Sequence, residues 1–304
     1  MHEMSLRITY YKSLVHRQLF DSWGLKRKLG ELRPGSFPFI SGDTFREACD
    51  FEYTNATEWP PDLKSAKTVF CGLNFVDDLI NSLSKSQFRF PSGTKLVLHN
   101  GDQVPSFDSY QVLVNAFAEV YSINVTSEVE SLGVVPIPQG LENRSVDRSG
   151  RPGDYPRPFE WGKIPRWDQR LGDVFASFRT STNPKVRQPI KDLVVQRDMC
   201  WVEPTDDQAR YLEAVREHRF VISPRGNGPD CHRTWEAIYW GTIPVLESGS
   251  LPVSLTNQLP VVVTRTYDEF LSMTREERLE VGQRALGKSK DKAWMSYWCK
   301  ELLR

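Results

Sequence analysis

One stretch of the sequence, VISPRGNGPDCHRTWEAIYWGTIPVLE (residues 221–247), holds many of the side chains that could bind an anion. It begins as an apolar strand, which the proline and two glycines of PRGNGP bring to an end. Asp230 stands where a helix N-cap is expected, residues 231–240 contain no helix breaker, and Gly241 suits a helix C-terminus. The pattern predicts a β-loop-α-β unit with a glycine loop at the carboxyl end of a strand.

Such a corner offers free backbone N–H groups and the positive end of a helix dipole to an anion, most often a phosphate. Arg225 adds a fixed positive charge beside it. His232 and Glu236 lie four residues apart on one helix face, with Arg233 at its flank. A carboxylate one turn into the helix can accept hydrogen bonds from ribose, which favours a nucleotide diphosphate. Alternatively, Glu236 pairs with Arg233 at the surface and the glycines only form turns.

The same residues partly fit a dinucleotide fingerprint. Gly226 and Gly228 have the spacing of its first two glycines, and Glu247 ends the next strand about 20 residues on, where a partner for the NAD ribose is expected. However, Cys231 replaces the third small residue and Pro229 occupies the tight turn. The unit also lies late in the chain. An NAD-dependent oxidoreductase is therefore a minor alternative.

A second candidate loop is SFRTSTNPKVR, residues 177–187. It leaves a strand at Phe178 and begins a helix with Asn183 as the cap and Pro184 in the first position. Arg179 and Arg187 could neutralise a leaving diphosphate with fixed charge, or they could be ordinary solvated arginines. The chain contains no D-x-D triplet, so we predict no metal and no other cofactor.

Strands alternate with helices along the chain, which predicts an α/β fold with parallel sheets covered on both faces. The predicted strands are 37–41, 68–73, 95–100, 173–178, 219–223, 242–247 and 260–264. The predicted helices include 44–49, 75–83, 110–118, 183–194, 206–218 and 231–240.

A length of 304 residues favours two domains. Residues 144–170 are rich in proline, glycine and basic side chains, and they form either a hinge whose arginines reach an anionic substrate or an ordinary loop. We therefore predict an N-terminal domain at 1–150 and a C-terminal domain at 151–304. Trp294 and Trp298 share one apolar face, and the last helix is expected to pack back on the first domain.

Charge and cysteine content bear on partners and location. The 39 basic and 39 acidic residues balance, so a nucleic-acid partner is not expected. No apolar run has the length of a membrane span and the N-terminus lacks a signal peptide's apolar core, which predicts a soluble, cytoplasmic protein. Five cysteines without a CxxC pair agree with a reducing compartment. Sequons at Asn55, Asn124 and Asn143 leave a secretory location open, such as the Golgi lumen if a membrane stem precedes the chain.

The segment SPRGNGPDCHRTWEAIYWGTIPVL resembles the donor-sugar site of exostosin-like glycosyltransferases, which occur in animals, plants, bacteria and large algal viruses. Weaker similarity in ASFRTSTNPKVR and FISGDTFREACD extends the resemblance over most of the chain. It implies the GT-B architecture, in which two Rossmann-like domains with parallel sheets face each other across a cleft. It also implies a nucleotide-sugar held mainly by the C-terminal domain, an oligosaccharide or glycoprotein acceptor in the cleft and, for a viral protein, the host cytoplasm.

Carried onto this sequence, the resemblance places the loop residues 225–228 at the diphosphate, Glu236 at the ribose, and His232 and Arg233 near the phosphates or sugar. The predicted donor-binding set is Arg179, Arg187, Arg225, Gly226, Asn227, Gly228, Asp230, His232, Arg233 and Glu236.

Inverting transfer requires a base in the first domain that takes the acceptor's proton. Asp43 is favoured because it follows a predicted strand and precedes a helix whose Arg46 could orient the acceptor. Asp78 and Asp102, the latter near His99, are the alternates, and each of the three could be structural.

These inferences predict metal-independent, inverting transfer of a sugar from a UDP-sugar to a hydroxyl of a glycan. Xylose is the favoured sugar and glucuronic acid the next. A non-catalytic module that binds a glycan or a nucleotide is the competing interpretation.

Overall fold

The computed structural model describes residues 33–53, 65–85, 90–146, 151–205 and 207–303, without the side chains of Phe159, Trp161 and Lys163. The sequon at Asn55 and the predicted first helical residue Asp206 lie outside these ranges. Within them the protein is α/β and contains two five-stranded parallel sheets.

The first sheet is built from residues 51–136, and its strands lie side by side in chain order. These strands are β1 (Phe51–Tyr53), β2 (Thr68–Gly72), β3 (Lys95–His99), β4 (Glu119–Ser122) and β5 (Val135–Pro136). Four helices accompany them, namely α1 (Gly42–Ala48), α2 (Val76–Lys85), α3 (Phe107–Ala116) and α4 (Ser127–Glu130). The central strand β3 is buried along its whole length, as expected when both faces of a parallel sheet are covered. All five carboxyl ends therefore meet at one edge of this sheet.

The second sheet has the order β10-β9-β8-β6-β7. Its strands are β6 (Gly172–Ala176), β7 (Cys200–Trp201), β8 (His218–Ile222), β9 (Ile243–Glu247) and β10 (Val262–Thr264). Its helices are α5 (Pro184–Gln196), α6 (Gln208–Glu217), α7 (His232–Tyr239), α8 (Val253–Thr256), α9 (Tyr267–Leu271), α10 (Arg275–Leu286) and α11 (Met295–Leu303). The chain leaves β6 toward one side of the sheet and β8 toward the other, so strand order reverses between these two neighbours.

The last helix returns to the first sheet. The Met295 N–H donates to the Pro38 carbonyl at 3.1 Å, the rings of Trp298 and Phe45 lie 6.2 Å apart, and α11 packs against α1. Lys95 Nζ donates to the Glu301 carbonyl at 2.8 Å. Burial of the apolar face that carries Trp294 and Trp298 thus joins the end of the chain to its beginning.

The prediction of a strand at 37–41 is wrong. Phe39 and Ser41 make only isolated bridges, to Trp294 and to Leu141. The Ile40 N–H donates to the Tyr239 hydroxyl at 3.1 Å, and its carbonyl accepts from the Leu141 N–H at 2.7 Å. The segment is apolar because it is buried where three parts of the chain meet, rather than because it belongs to a sheet.

The segment predicted as a linker, 144–170, contains short 3-10 helices. These are Pro152–Asp154, Pro158–Lys163 and Trp167–Gln169. Tyr155 and Trp167 are buried, and the Trp167 indole N–H donates to the Arg219 carbonyl at 2.9 Å. This part of the chain is therefore packed onto the protein by its aromatic side chains.

The asparagines of two sequons, Asn124 and Asn143, make contacts within the fold. Asn124 is buried at φ +58°, and the Asn143 amide is hydrogen-bonded through both its oxygen and its nitrogen. Both side chains therefore take part in contacts within the fold. All five cysteines are free. In the described ranges no helix combines the length and the apolar character that a membrane span needs.

Arg170 provides a test of how the second sheet is held together. It is buried, burial and the charge of Arg219 lower the pKa of its guanidinium to about 10, and it donates to backbone carbonyls of His218 at 2.8 Å and Trp240 at 2.6 Å. Arg170→Ala removes a charged donor from each of these buried carbonyls and leaves the His218 carbonyl with a long bond from Thr242 Oγ1, at 3.4 Å. We therefore expect a loss of about 2 to 4 kcal/mol in the free energy of unfolding. Urea denaturation followed by fluorescence measures it.

Arg166→Ala is the matched control, because Arg166 is exposed and, among the described residues, its guanidinium pairs with the exposed Asp168 alone. Its denaturation midpoint should match that of the wild type. Equal midpoints for the two variants would contradict the assigned role of Arg170.

Candidate functional site

Two loops meet where the strand order of the second sheet reverses. Residues 177–183 follow β6 and residues 223–231 follow β8, and these strands are neighbours. In open parallel sheets, ligands bind in the crevice at the carboxyl ends of the strands at such a reversal. Both loops singled out in the sequence therefore border one crevice, which we call the switch crevice.

Arg187 ties these two loops together. Its Nε donates to the Arg225 carbonyl at 2.9 Å and its Nη1 to the Arg179 carbonyl at 3.0 Å. The side chain is buried, and burial, with the charge of Arg233, lowers its pKa to about 10. The guanidinium predicted to neutralise a diphosphate is thus engaged with loop carbonyls. Asn183 is the N-cap of α5 without a side-chain capping bond, because its Nδ2 donates to the Gly226 carbonyl at 3.0 Å.

Three other arginines border the switch crevice. Arg179 and Arg225 are exposed, and Arg225 makes no ion pair within the described part of the chain. Arg233 is half-buried, lies 5.5 Å from the centroid of the Phe178 ring, and donates from Nε to the Ser177 carbonyl at 2.8 Å. Its remaining guanidinium nitrogens lie beside the first turn of α7, where backbone N–H groups lack helical acceptors. Positive charge is therefore concentrated at this crevice.

Glu236 lies one turn into α7 in a polar recess. It is buried, and its Oε1 receives a long hydrogen bond, 3.5 Å from Gln208 Nε2. The hydroxyls of Tyr155 and Tyr211 lie close by. Burial and the charge of the Glu236 carboxylate raise the pKa of both tyrosines well above its ordinary value. The recess thus combines a weakly satisfied carboxylate with two neutral phenols, which suits a ligand that carries hydroxyl groups.

Asp230 is not the N-cap that the sequence suggested. Cys231 occupies that position, without a side-chain capping bond. The buried Asp230 carboxylate instead accepts from the Gln139 N–H at 2.9 Å, the Cys231 N–H at 2.7 Å and the Trp235 indole at 2.9 Å. Burial raises its pKa to about 6, against the lowering effect of these hydrogen bonds. Asp230 therefore joins the start of α7 to the loop that follows β5.

The glycine loop also contacts the first sheet. A Cβ on Gly228 would lie 2.8 Å from Asn124 Oδ1, so this glycine is required by the close approach of a side chain from the loop after β4. Asn227 Nδ2 donates to Asp102 Oδ2 at 2.8 Å. Gly228 and Asn227 thus serve the contact between the two sheets, which the sequence alone did not reveal.

A cleft of about 450 Å³ lies between the carboxyl edge of the first sheet and the start of α7. Side-chain amides, two carboxylates and two imidazoles dominate its wall. The lining residues are Gly42, Asn74, His99, Asn100, Gly101, Asp102, Gln103, Ile123, Gln139, Leu141, Glu142, Asn143 and His232. A volume of this size holds a small polar ligand.

The three predicted bases have different surroundings. Asp102 is exposed and lines the cleft. Asp78 is exposed in the first turn of α2 and is not among the lining residues. Asp43 has no exposed surface and pairs with Arg33 at 2.8 Å and Arg46 at 3.2 Å. An acceptor hydroxyl cannot reach Asp43 in this arrangement, so the geometry favours Asp102.

His232 and Glu142 both line the cleft and form an ion pair, with 3.1 Å between His232 Nε2 and Glu142 Oε2. His232 Nδ1 also donates to the Gly140 carbonyl at 2.8 Å. Burial opposes the charged imidazolium, but Glu142 and Gly140 outweigh it and raise the pKa of His232 to about 9. The sequence analysis did not identify Glu142. Its position four residues after the apolar run VVPIP, near the end of a strand, could have indicated a site residue.

His99 behaves differently from His232. It is buried, its Nε2 donates to the Pro138 carbonyl at 3.1 Å, and its Nδ1 accepts from the Asn100 N–H at 2.7 Å. Burial lowers its pKa to about 4. His99 is therefore a neutral, oriented ring in the wall of the cleft.

Glu247 ends β9 beside β8, partly exposed, with its pKa raised by burial. This is where the minor NAD alternative expects a carboxylate. No cluster of three or more potential metal ligands occurs in the described ranges. Comparison with protein-family models and with curated proteins gives no match.

Gly228→Ala tests the contact between the sheets. The added methyl group would overlap Asn124, and we expect a loss of about 1 to 3 kcal/mol in stability together with faster proteolysis between the sheets. Thermal unfolding and limited trypsin digestion measure both.

Asn124→Gly in the same chain should restore part of the lost stability. It removes the overlapping side chain at a position with φ +58°, but it also removes the acceptor of the Asp230 N–H. Gly153→Ala is the control, since a Cβ there meets nothing within 4 Å. If Gly228→Ala behaves like Gly153→Ala, the packing argument fails.

The ion pair between His232 and Glu142 predicts a pH dependence. Because the folded pKa of His232 is raised, its contribution to stability is complete below the ordinary value near 6.5 and is lost as pH rises through about 9. We expect the Tm of the wild type to exceed that of Glu142→Gln by a few degrees at pH 6.5 and the difference to vanish near pH 10. A difference independent of pH would exclude the ion pair as its cause.

Proposed function

We propose that this protein is a glycosyltransferase of the GT-B architecture, which transfers a sugar from a UDP-sugar to a hydroxyl of a glycan. The observation that carries the proposal is that α7 joins three features: the exposed arginines of the switch crevice lie near its start, the buried Glu236 lies one turn into it, and its His232 lines the polar cleft. The resemblance of residues 223–246 to exostosin-like enzymes supports the same function. Two parallel sheets that face each other across such a cleft agree with two Rossmann-like domains.

The donor's diphosphate would bind at the switch crevice. Arg179 and Arg225 supply exposed positive charge, and the first N–H groups of α7 supply oriented dipoles. Arg187 would act indirectly, because it holds the loops that carry those arginines. Arginine charge placed in this way can stabilise a leaving diphosphate without a metal, and we therefore propose metal-independent transfer.

The donor's ribose would bind in the Glu236 recess. A carboxylate accepts two hydroxyl hydrogen bonds, and the Tyr155 and Tyr211 phenols can each donate or accept one more. Glu236 is on the face of α7 that also carries His232, so a nucleotide held there directs its sugar toward the cleft. Xylose is the favoured sugar and glucuronic acid the next.

Asp102 is the proposed base. It lines the cleft, it is exposed, and its contact with Asn227 places it beside the glycine loop. For inverting transfer, a carboxylate on the first-sheet side of the cleft can take the acceptor's proton while the diphosphate leaves on the other side.

Two other functions fit parts of the site. A binding module would use the same crevice and cleft without turnover, and the exposed Asp102 favours catalysis over it. An NAD-dependent oxidoreductase would use Glu247 at the end of β9. Substitution of Glu236 or of Glu247 therefore distinguishes a UDP site from an NAD site.

The proposed binding of the UDP-sugar donor is tested by calorimetric titration with UDP. We expect Glu236→Gln to lower the affinity about tenfold or more, because charge-assisted hydrogen bonds to ribose are lost. Glu247→Gln is the matched control and should bind UDP as the wild type does. A wild type that does not bind UDP, or that binds NADH with a dependence on Glu247, would refute the proposal.

Turnover is tested by release of UDP from a panel of UDP-sugars, with and without sugar acceptors. We expect Asp102→Asn to lower the rate about a hundredfold or more while UDP affinity stays within about threefold. Asp78→Asn should retain full activity. Absence of turnover in the wild type despite tight UDP binding would favour the binding module.

A further inference from the structure

A closed ring of hydrogen bonds fixes two amides in the wall of the cleft. The Asp43 N–H donates to Asn143 Oδ1 at 2.8 Å, Asn143 Nδ2 donates to Asn100 Oδ1 at 2.8 Å, and Asn100 Nδ2 donates to Asp43 Oδ1 at 3.3 Å. We call Asn100 and Asn143 the amide pair. Both residues line the cleft and are half-buried.

Asp43 determines which way each amide of the pair faces. A backbone N–H can only donate, so the oxygen of Asn143 must face Asp43. An ionised carboxylate can only accept, so the NH2 group of Asn100 must face it. Asp43 is itself held by Arg33 and Arg46. The orientation of both amides is therefore set by one buried residue.

The backbone reinforces the same arrangement. Asn100 has φ +54°, a left-handed conformation that few residues other than glycine, asparagine and aspartate adopt readily. A Cβ at Gly42 would lie only 1.6 Å from Asn100 Oδ1, so Gly42 must lack a side chain. Both restraints keep the Asn100 amide at the surface of the cleft.

The ring uses only half of each amide's capacity. A side-chain amide has two N–H groups and two lone pairs, and each member of the pair spends one of each within the ring. Among the described residues nothing else pairs with these amides, so one N–H and one lone pair remain on Asn100 and on Asn143. Two adjacent groups that each donate and accept match vicinal hydroxyls, which likewise donate and accept.

The charges of the cleft select among hydroxylated ligands. Asp102 and Glu142 line the same cavity as the amide pair, and the His232 imidazolium is already engaged with Glu142. A uronic acid would bring a third carboxylate to this wall, and repulsion between like charges in a partly enclosed cavity lowers affinity.

From these contacts we infer that the amide pair binds vicinal hydroxyls of a neutral pyranose acceptor and that Asp43 is its positioning residue. The inference rests on the proposed transferase function and specifies the acceptor that the cleft takes. It assigns Asp43 a role through Asn100 and Asn143 rather than in proton transfer.

The test is titration of neutral methyl pyranosides and of methyl glucuronide into the protein saturated with UDP, followed by NMR. We expect at least one neutral pyranoside to bind the wild type, and Asn143→Ala and Asp43→Asn to weaken it about tenfold or more. Methyl glucuronide should bind about tenfold more weakly than the neutral sugar of the same configuration.

Asp108→Asn is the matched control for Asp43→Asn, because Asp108 is exposed and is likewise the second residue of its helix, α3. It should bind the pyranoside as the wild type does.

With an acceptor that is turned over, Asn143→Ala should raise KM and change kcat little, whereas loss of a base would lower kcat. Because Asp43→Asn leaves two arginines without their carboxylate, Asn143→Ala decides the outcome if the first variant does not fold.

The outcomes separate the two proposals. Three results would overturn the inference while leaving the donor site in place, provided that UDP binds. The first is that no pyranoside binds the wild type. The second is that Asn143→Ala binds the pyranoside as tightly as the wild type does, and the third is that methyl glucuronide binds as tightly as the neutral sugar of the same configuration. If UDP does not bind while a pyranoside binds through the amide pair, the transferase function is overturned and the amide pair stands as a sugar site.

Discussion

The buried carboxylate of Asp230 accepts hydrogen bonds from both parts of the molecule. On one side it holds the Gln139 N–H, which follows the first sheet, and on the other it holds the Cys231 N–H and the Trp235 indole of α7. Because a buried carboxylate is costly unless it is satisfied, neither side can withdraw without a large penalty. The start of α7 is therefore fixed against the carboxyl edge of the first sheet, and the cleft exists because these two surfaces are held face to face.

This constraint explains why the glycine loop has its particular residues. Gly228 makes room for Asn124, Asn227 reaches Asp102, and Gly226 allows Arg187 to approach. A loop that only bound phosphate would need glycines for backbone access to the ligand. Here at least one glycine is required by protein packing, and the same loop both borders the switch crevice and contacts Asp102 and Asn124 of the first sheet. The loop of the proposed donor site is thus also part of the contact between the sheets.

Residues of one type have different roles according to their burial. Arg170 and Arg187 are buried and satisfy backbone carbonyls, whereas Arg179 and Arg225 are exposed at the switch crevice. The two histidines of the cleft differ in the same manner, since His99 is held neutral by burial and His232 is held charged by Glu142. Charge at the site is thus decided by the neighbours of each group rather than by its identity. Fixed cations at the switch crevice and an acidic, amide-rich wall in the cleft therefore occur together in a chain of zero net charge.

The sequence by itself determined the parts whose signals are local. The alternation of apolar strands with helices gave the α/β class, and the breaker PRGNGP marked the end of β8. Pro184 marked the start of α5, and Gly241 with φ +69° marked the end of α7. The short strands β1, β4, β5 and β7 were not predicted, because two to four residues are too few to show a period. The equally short β10 was predicted only because it lies in the apolar run PVVVT. Asp43, Asp230 and Gly228 each have partners that lie 57 to 106 residues away in the chain, and no local pattern encodes those contacts. Only the tertiary structure therefore decided that Asp43 is buried, that Asp102 lines the cleft and that Asn100 pairs with Asn143. Hydrogen bonds and burial between distant segments arise only when the two sheets are packed together.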